Sequence, residues 1–223
     1  FFAAADFTVT GTASFTGVWH LFDGGRELTG SFQSDDATLN TLAFPQLDGS
    51  LIWTRDRFEV MDLTSGFYGG DLRLDYGMQP LGAPTPGAHT FDVEYTDVEI
   101  TRLFEALEVE GVRPDGRASG ATRLRWPMGE AEERQLEGSG QIRITPPDGT
   151  PLLARGAVNR PRPFTRYTET SFAPVDRPWE FPIGGEITFD VGPEWIELAP
   201  GRLATPLTTV SFEGRTAYGE RSR

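Results

Sequence analysis

Phe7-Thr8-Val9-Thr10-Gly11-Thr12-Ala13-Ser14-Phe15-Thr16-Gly17-Val18-Trp19-His20-Leu21 carries the clearest pattern in the chain. Odd positions read Phe7, Val9, Gly11, Ala13, Phe15, Gly17, Trp19 and Leu21; even positions read Thr8, Thr10, Thr12, Ser14 and Thr16. Side chains alternate between the faces of a strand, so this segment has one apolar and one hydroxyl-rich face. The run is longer than a usual strand of about 5–6 residues, and Gly11 and Gly17 mark expected bulges or bends. Asp23-Gly24-Gly25 then reads as a turn.

Beyond that turn a unit recurs in which a glycine leads apolar residues two and four positions later. Gly49 leads Leu51 and Trp53; Gly70 leads Leu72, Leu74 and Tyr76; Gly140 leads Ile142 and Ile144; Gly185 leads Ile187, Phe189 and Val191. Gly120 leads Leu124 and Trp126 with Thr122 in the nearer slot, and Gly30 leads Phe32 alone. The intervening residues are mostly polar, so each unit reads as a half-buried strand entered through a glycine on its apolar face. Spacings of 19, 21 and 20 residues (Gly30 to Gly49 to Gly70; Gly120 to Gly140) fit two strands and two turns per unit. A weak repeat of that length predicts a stacked β architecture.

Two segments depart from the strand pattern. Ile100, Leu103, Phe104 and Leu107 form one apolar stripe at helical spacing, after a strand alternating Phe91, Val93 and Tyr95 with Asp92, Glu94 and Thr96. A short helix is expected there, with Gly111 helping to end it and the helix covering a sheet end or edge. Residues 155–184 hold Pro161, Pro163, Pro174, Pro178 and Pro182, and from Arg155 to Arg177 five Arg face only Glu169 and Asp176. Proline removes ladder donors, so a long loop or edge excursion is expected. Residues 1–223 read as one repetitive all-β segment with no independent second domain. The chain opens Phe1-Phe2-Ala3-Ala4-Ala5 and stops at Arg223 just after a strand-like run, which suggests a segment of a longer protein with any targeting signal outside it.

The chain has 20 basic and 33 acidic residues, a net charge of −13, and every basic residue is Arg. An acidic surface disfavours nucleic acid and anionic headgroups as general partners. Without Cys there is no disulfide framework, thiolate metal site or Cys nucleophile, and without Lys no P-loop. Gly138-Ser139-Gly140 lacks the rest of a dinucleotide fingerprint and reads as a strand-entry turn. No nucleophile elbow or calcium loop is present. His20 continues a polar strand face, and His89 reads as a surface residue of the Pro/Gly loop near Pro80 to Gly87. Asp71, Asp75, Asp92 and Glu94 are the carboxylates that a glycosidase-like β enzyme would use, but their period of two is that of a solvated strand face. No catalytic residue, cofactor or metal is assigned.

The stretches Leu28-Thr29-Gly30-Ser31-Phe32, Leu47-Asp48-Gly49-Ser50-Leu51-Ile52-Trp53 and Tyr68-Gly69-Gly70-Asp71-Leu72 resemble the AsmA/TamB family of bacterial envelope proteins. So do Thr96 to Leu107, Gly120-Ala121-Thr122-Arg123-Leu124, Leu136 to Ile142, and Gly201 to Arg215. The resemblance implies a long antiparallel sheet curled into an open trough with one short helix and an apolar concave face. It also implies a periplasmic location within an inner-membrane-anchored protein, phospholipid transport between the membranes, and a part in outer-membrane biogenesis. The implied partners are phospholipid acyl chains, outer-membrane assembly proteins and adjacent β segments of the same chain. The implied lining is the in-phase set Phe7, Val9, Phe15, Trp19, Leu51, Trp53, Leu72, Leu74, Tyr76, Phe91, Val93, Tyr95, Leu124, Trp126, Ile142, Ile144, Ile187, Phe189, Val191, Val210 and Phe212. Alternation places these on common faces within each strand and leaves open whether the faces form a groove or a closed core. A β-sandwich or solenoid adhesion or carbohydrate-binding module of a secreted protein is the alternative reading.

Overall fold

The computed structural model describes residues 8–82, 87–109, 112–128, 135–152 and 179–217. Phe7, Gly111 and residues 155–178 of the predicted excursion lie outside these. The expected all-β architecture with one short helix is what the chain forms. Eleven strands make one antiparallel sheet that does not close into a barrel. In chain order they are β2 (Ser14–Phe22), β3 (Gly25–Ser34), β6 (Leu47–Trp53), β7 (Phe58–Phe67), β8 (Gly70–Gln79), β9 (Ala88–Glu99), β11 (Arg117–Pro127), β12 (Glu137–Thr145), β14 (Gly184–Gly192), β15 (Trp195–Ala204) and β16 (Thr209–Ala217). Each pairs with its sequence neighbours in this series, so the sheet is a meander with β2 and β16 at its edges.

The remaining strands are short. The three-stranded sheet joins β1 (Val9–Thr10), β4 (Ala37–Leu39) and β5 (Leu42–Phe44), and β10 (Val112–Asp115) pairs in parallel with β13 (Trp179–Pro182). The alternating run from Phe7 to Leu21 is therefore not one strand. Gly11, at φ +120°, breaks it, and Val9 pairs with Leu39 in the small sheet. A Cβ on Gly11 would sit 2.7 Å from the Asp36 carbonyl oxygen, so only glycine fits this close crossing.

The helix α1 (Ile100–Ala106) begins where β9 ends; the Ile100 amide donates to the Gly116 carbonyl (3.0 Å). It stops before Gly111. Glu108 takes φ +53°, its amide bonds to Glu105 O and the Val109 amide to Phe104 O, which is a Schellman closure on a residue other than glycine.

Burial is thin. Val98 is the one described side chain below 2% exposure, and Ile100, Ala118, Leu63 and Leu72 join it as buried apolar residues. Val98, Ile100 and Ala118 lie where α1 leaves the sheet. The Pro45 carbonyl accepts from the buried Ser65 hydroxyl (2.8 Å), and Phe44 stacks on Phe67, so the small sheet is fastened to the same end of the strands.

Candidate functional site: one apolar face across eleven strands

Directly opposed residues in an antiparallel ladder point to the same face. One transverse row can be followed across the whole sheet: Gly17, Gly30, Leu51, Val60, Tyr76, Phe91, Leu124, Gly138, Val191, Ile196 and Thr216 are successive partners from β2 to β16. A second row runs Leu63, Leu74, Val93, Thr122, Gly140, Phe189 and Leu198. A third holds Leu72, Tyr95, Gly120, Ile142 and Ile187. Ile144 opposes Gly185, Val210 opposes Leu203 and Phe212 opposes Gly201. All predicted lining positions from Phe15 to Phe212 thus share one face of the sheet. At about 4.8 Å per strand, this face extends roughly 48 Å in the hydrogen-bonding direction. Val9 is not on it, because β1 belongs to the small sheet.

Phe58, Val60 and Leu63 of β7 share this face, although the sequence pattern did not reveal them. A one-residue bulge at Asp62 (φ +52°) shifts the register between Val60 and Leu63. Apolar positions are even before it and odd after it, so strict alternation fails while the face is kept. Asp97 (φ +55°) does the same between Tyr95 and Val98, and β15 has a bulge between Leu198 and Gly201, around Pro200. The readable signal is a switch of parity beside an Asp or Pro.

Of the recurring glycines, Gly70 opens its strand and Gly185 is the second residue of its own, whereas Gly30, Gly49, Gly120 and Gly140 lie within theirs. Several glycines of this face oppose large side chains on the neighbouring strand: Gly49 opposes Phe32, Gly120 opposes Tyr95, Gly140 opposes Phe189 and Gly201 opposes Phe212. A Cβ on Gly201 would lie 2.5 Å from the Phe212 ring, one on Gly49 3.0 Å from Phe32 Cζ, and one on Gly140 would overlap Phe189. The rings lie down over bare backbone instead of standing upright. A single layer can then half-bury its own aromatic residues without a second sheet above them.

At the end of the face opposite α1, a row of direct partners reads Trp19, Leu28, Trp53, Phe58, Met78, His89 and Trp126. Trp53 meets Phe58 edge-on, His89 stacks on Trp126 with 5.0 Å between centroids, and Tyr76 Oη shares a 2.8 Å hydrogen bond with His89 Nδ1. His89 is therefore a half-buried strand residue and not the predicted surface residue of a loop. Burial lowers its pKa below the usual 6.5, so the ring is neutral near pH 7. Burial pushes the Tyr76 and Tyr95 phenols up, the latter opposed by a hydrogen bond with Thr122. Trp19 and Trp53 remain 48% and 44% exposed.

The opposite face is charged. Arg123 pairs with Asp92 (2.9 Å), Arg143 with Glu186 (3.7 Å) and Arg215 with Glu197 (2.6 Å), each directly across a strand boundary. The carboxylates considered for glycoside chemistry are all exposed on this face. Asp75 accepts from the Asp62 amide (2.7 Å), and Asp92 is held by Arg123. A separate polar cleft of about 670 Å³ is lined by Ser34, Asp35, Asp36, Asp48 and neighbours. Among the described residues there is no cluster of three or more metal-ligating side chains, and no helix is long and apolar enough to cross a membrane. Comparison with family models, curated proteins and solved structures finds no match to this chain.

Proposed function

We propose that this chain is a segment of an AsmA/TamB-like envelope protein, that its sheet curls into a trough, and that the apolar face carries phospholipid acyl chains between membranes. The observation that supports this reading is the single apolar face running unbroken over eleven strands with no second large sheet laid on it among the described residues. A surface of that kind suits an apolar occupant. An acyl chain reaches about half of a ~30 Å hydrocarbon core, so the face is long enough for more than one. Each methylene it removes from water contributes about 0.8 kcal/mol. Carriage along such a surface needs no bond to be made or broken, so the proposal assigns no catalytic residue. The charged face is then the solvated exterior, in the periplasm, and outer-membrane assembly proteins and adjacent β segments remain its expected partners.

Lipid extraction and native mass spectrometry of the purified chain test this. The variants should charge the face where it is already exposed, so that folding survives: Trp53→Asp and Val210→Asp, at 44% and 55% exposure, are suitable. Leu72 is not, because it is 8% exposed and supports the fold. Co-purifying phospholipid that is lost in both folded variants supports the conduit. A folded, lipid-free protein that takes up no phospholipid from vesicles overturns it. The accessible Trp19 and Trp53 rings favour a second reading, glycan stacking along the aromatic row, which a glycan-binding screen would then address.

A further inference from the structure

Two polar atoms meet among the rings of the apolar face. Tyr76 of β8 and His89 of β9 sit diagonally across a strand boundary, Tyr76 opposite Phe91 and His89 opposite Met78, and share the 2.8 Å bond between Oη and Nδ1. Phe58 meets Tyr76 edge-on at one side, and Trp126 stacks on His89 at the other. All four are half-buried strand residues, held in place by the ladder from β7 to β11.

A neutral imidazole carries one N–H and a phenol one O–H. The shared bond uses one of these two donors, whichever way it runs. If the phenol donates, the Nε2–H is left; if Nδ1–H donates, the phenol hydrogen is left. The pair therefore always has one donor to spare, and neither residue has a second hydrogen bond among the described residues. Hydrocarbon laid over the pair would leave that donor unsatisfied. Trp53, Phe58, Met78 and Trp126 share the row with His89, so a carboxylate or phosphate would meet no counter-charge there. A neutral carbonyl oxygen matches the site. From Met78 to Leu72, β8 keeps its apolar residues on this face over six residue steps, roughly 20 Å. That exceeds half of a ~30 Å hydrocarbon core, the reach of an acyl chain.

Resting on the lipid-carrying reading above, we propose that Tyr76 and His89 form a hydrogen-bonding station for the carbonyl oxygen of an acyl ester, with the chain extended along β8 toward Leu72. The station selects an ester over bare hydrocarbon and over a free carboxylate. It also fixes the polar part of the lipid at the aromatic end of the face, away from α1.

Displacement of a pyrene-labelled phosphatidylcholine from the full chain, with co-purified lipid removed, tests this at pH 8.5. Methyl palmitate should displace the label at about two- to tenfold lower concentration than heptadecane, and at lower concentration than palmitate. The donor count makes a sharper demand. Tyr76→Phe keeps an imidazole N–H and His89→Phe keeps the phenol O–H, so each single variant retains the ester preference. The folded double variant loses it and binds ester and hydrocarbon alike. Tyr95→Phe removes the hydroxyl that lies by Gly120, two rows away, and should leave the preference unaltered. The station is overturned, and the conduit left standing, if the labelled lipid binds but the wild type shows no ester preference or prefers palmitate. The same holds if the preference survives in the double variant, or disappears in either single variant or in Tyr95→Phe. Failure of the labelled lipid to bind the wild type overturns both.

Discussion

On one face of the sheet Phe189 lies across Gly140; on the other, between the same two strands, Arg143 reaches toward Glu186. The backbone is common to both, and the means of cohesion differ. The apolar face is held by rings lying over glycine, which removes surface from water and cannot be screened. The charged face is held by cross-strand ion pairs with both partners substantially exposed, and such pairs contribute about 0–1 kcal/mol each. The sheet's stability therefore rests on one face, while the other supplies register and solubility. Gly49, Gly140 and Gly201 cannot be filled for the same reason: a Cβ there would meet the Phe32, Phe189 or Phe212 ring that forms the cover.

This contrast can be broken most sharply by charging a buried position of the apolar face. Leu72→Asp leaves an unpaired carboxylate among Leu63, Leu74 and Tyr95, and should cost about 3–5 kcal/mol in urea unfolding, enough to unfold a domain of ordinary stability. Gly140→Val displaces the Phe189 ring and should cost about 1–3 kcal/mol, with Phe189→Ala in the same background recovering part of the loss. A cost no larger than that of an exposed strand glycine would show that the ring does not rest there. A smaller effect comes from pH. Burial lowers the folded-state pKa of His89 below 6.5, so the unfolded chain binds the proton more tightly. Stability is then present above pH 6.5 and is lost as pH falls through that value toward the depressed folded pKa. Thermal melts between pH 7.5 and 5 should show the decline, and His89→Phe should flatten it. Asp56, whose pKa is lowered chiefly by the Thr54 hydroxyl, acts only below about pH 3.8, in a separate window. The smallest effect belongs to the charged face: Arg123→Ala should change stability by about 0.2–1 kcal/mol, and less in high salt. A loss of several kcal/mol there would overturn the division of labour between the faces.

Much of this was legible from residues alone. Period-two alternation in β8, β12 and β14 identified which side chains share a face, and the turn at Asp23-Gly24 lies where that dipeptide favours a hairpin. The helix stripe was readable for the same reason. His89 was misread because its neighbours Pro80 and Gly87 signal a loop, while its own strand begins one residue later, at Ala88. β7 was missed because Asp62 changes its parity, and a bulge is recognised only by the partner strand that it fails to match.

The amino-acid sequence by itself determined that the chain is built from strands with one greasy and one charged side, because alternation is a property of the strand and needs no neighbour. Tertiary structure alone decided that those sides join into one face over eleven strands, that Gly49, Gly120, Gly140 and Gly201 are seats for rings on the next strand, and that Val9 falls off the face although it is in phase with Phe15. The reason is physical: register and bulges are relations between two strands, and the alternation within one strand does not encode how its partner is aligned with it.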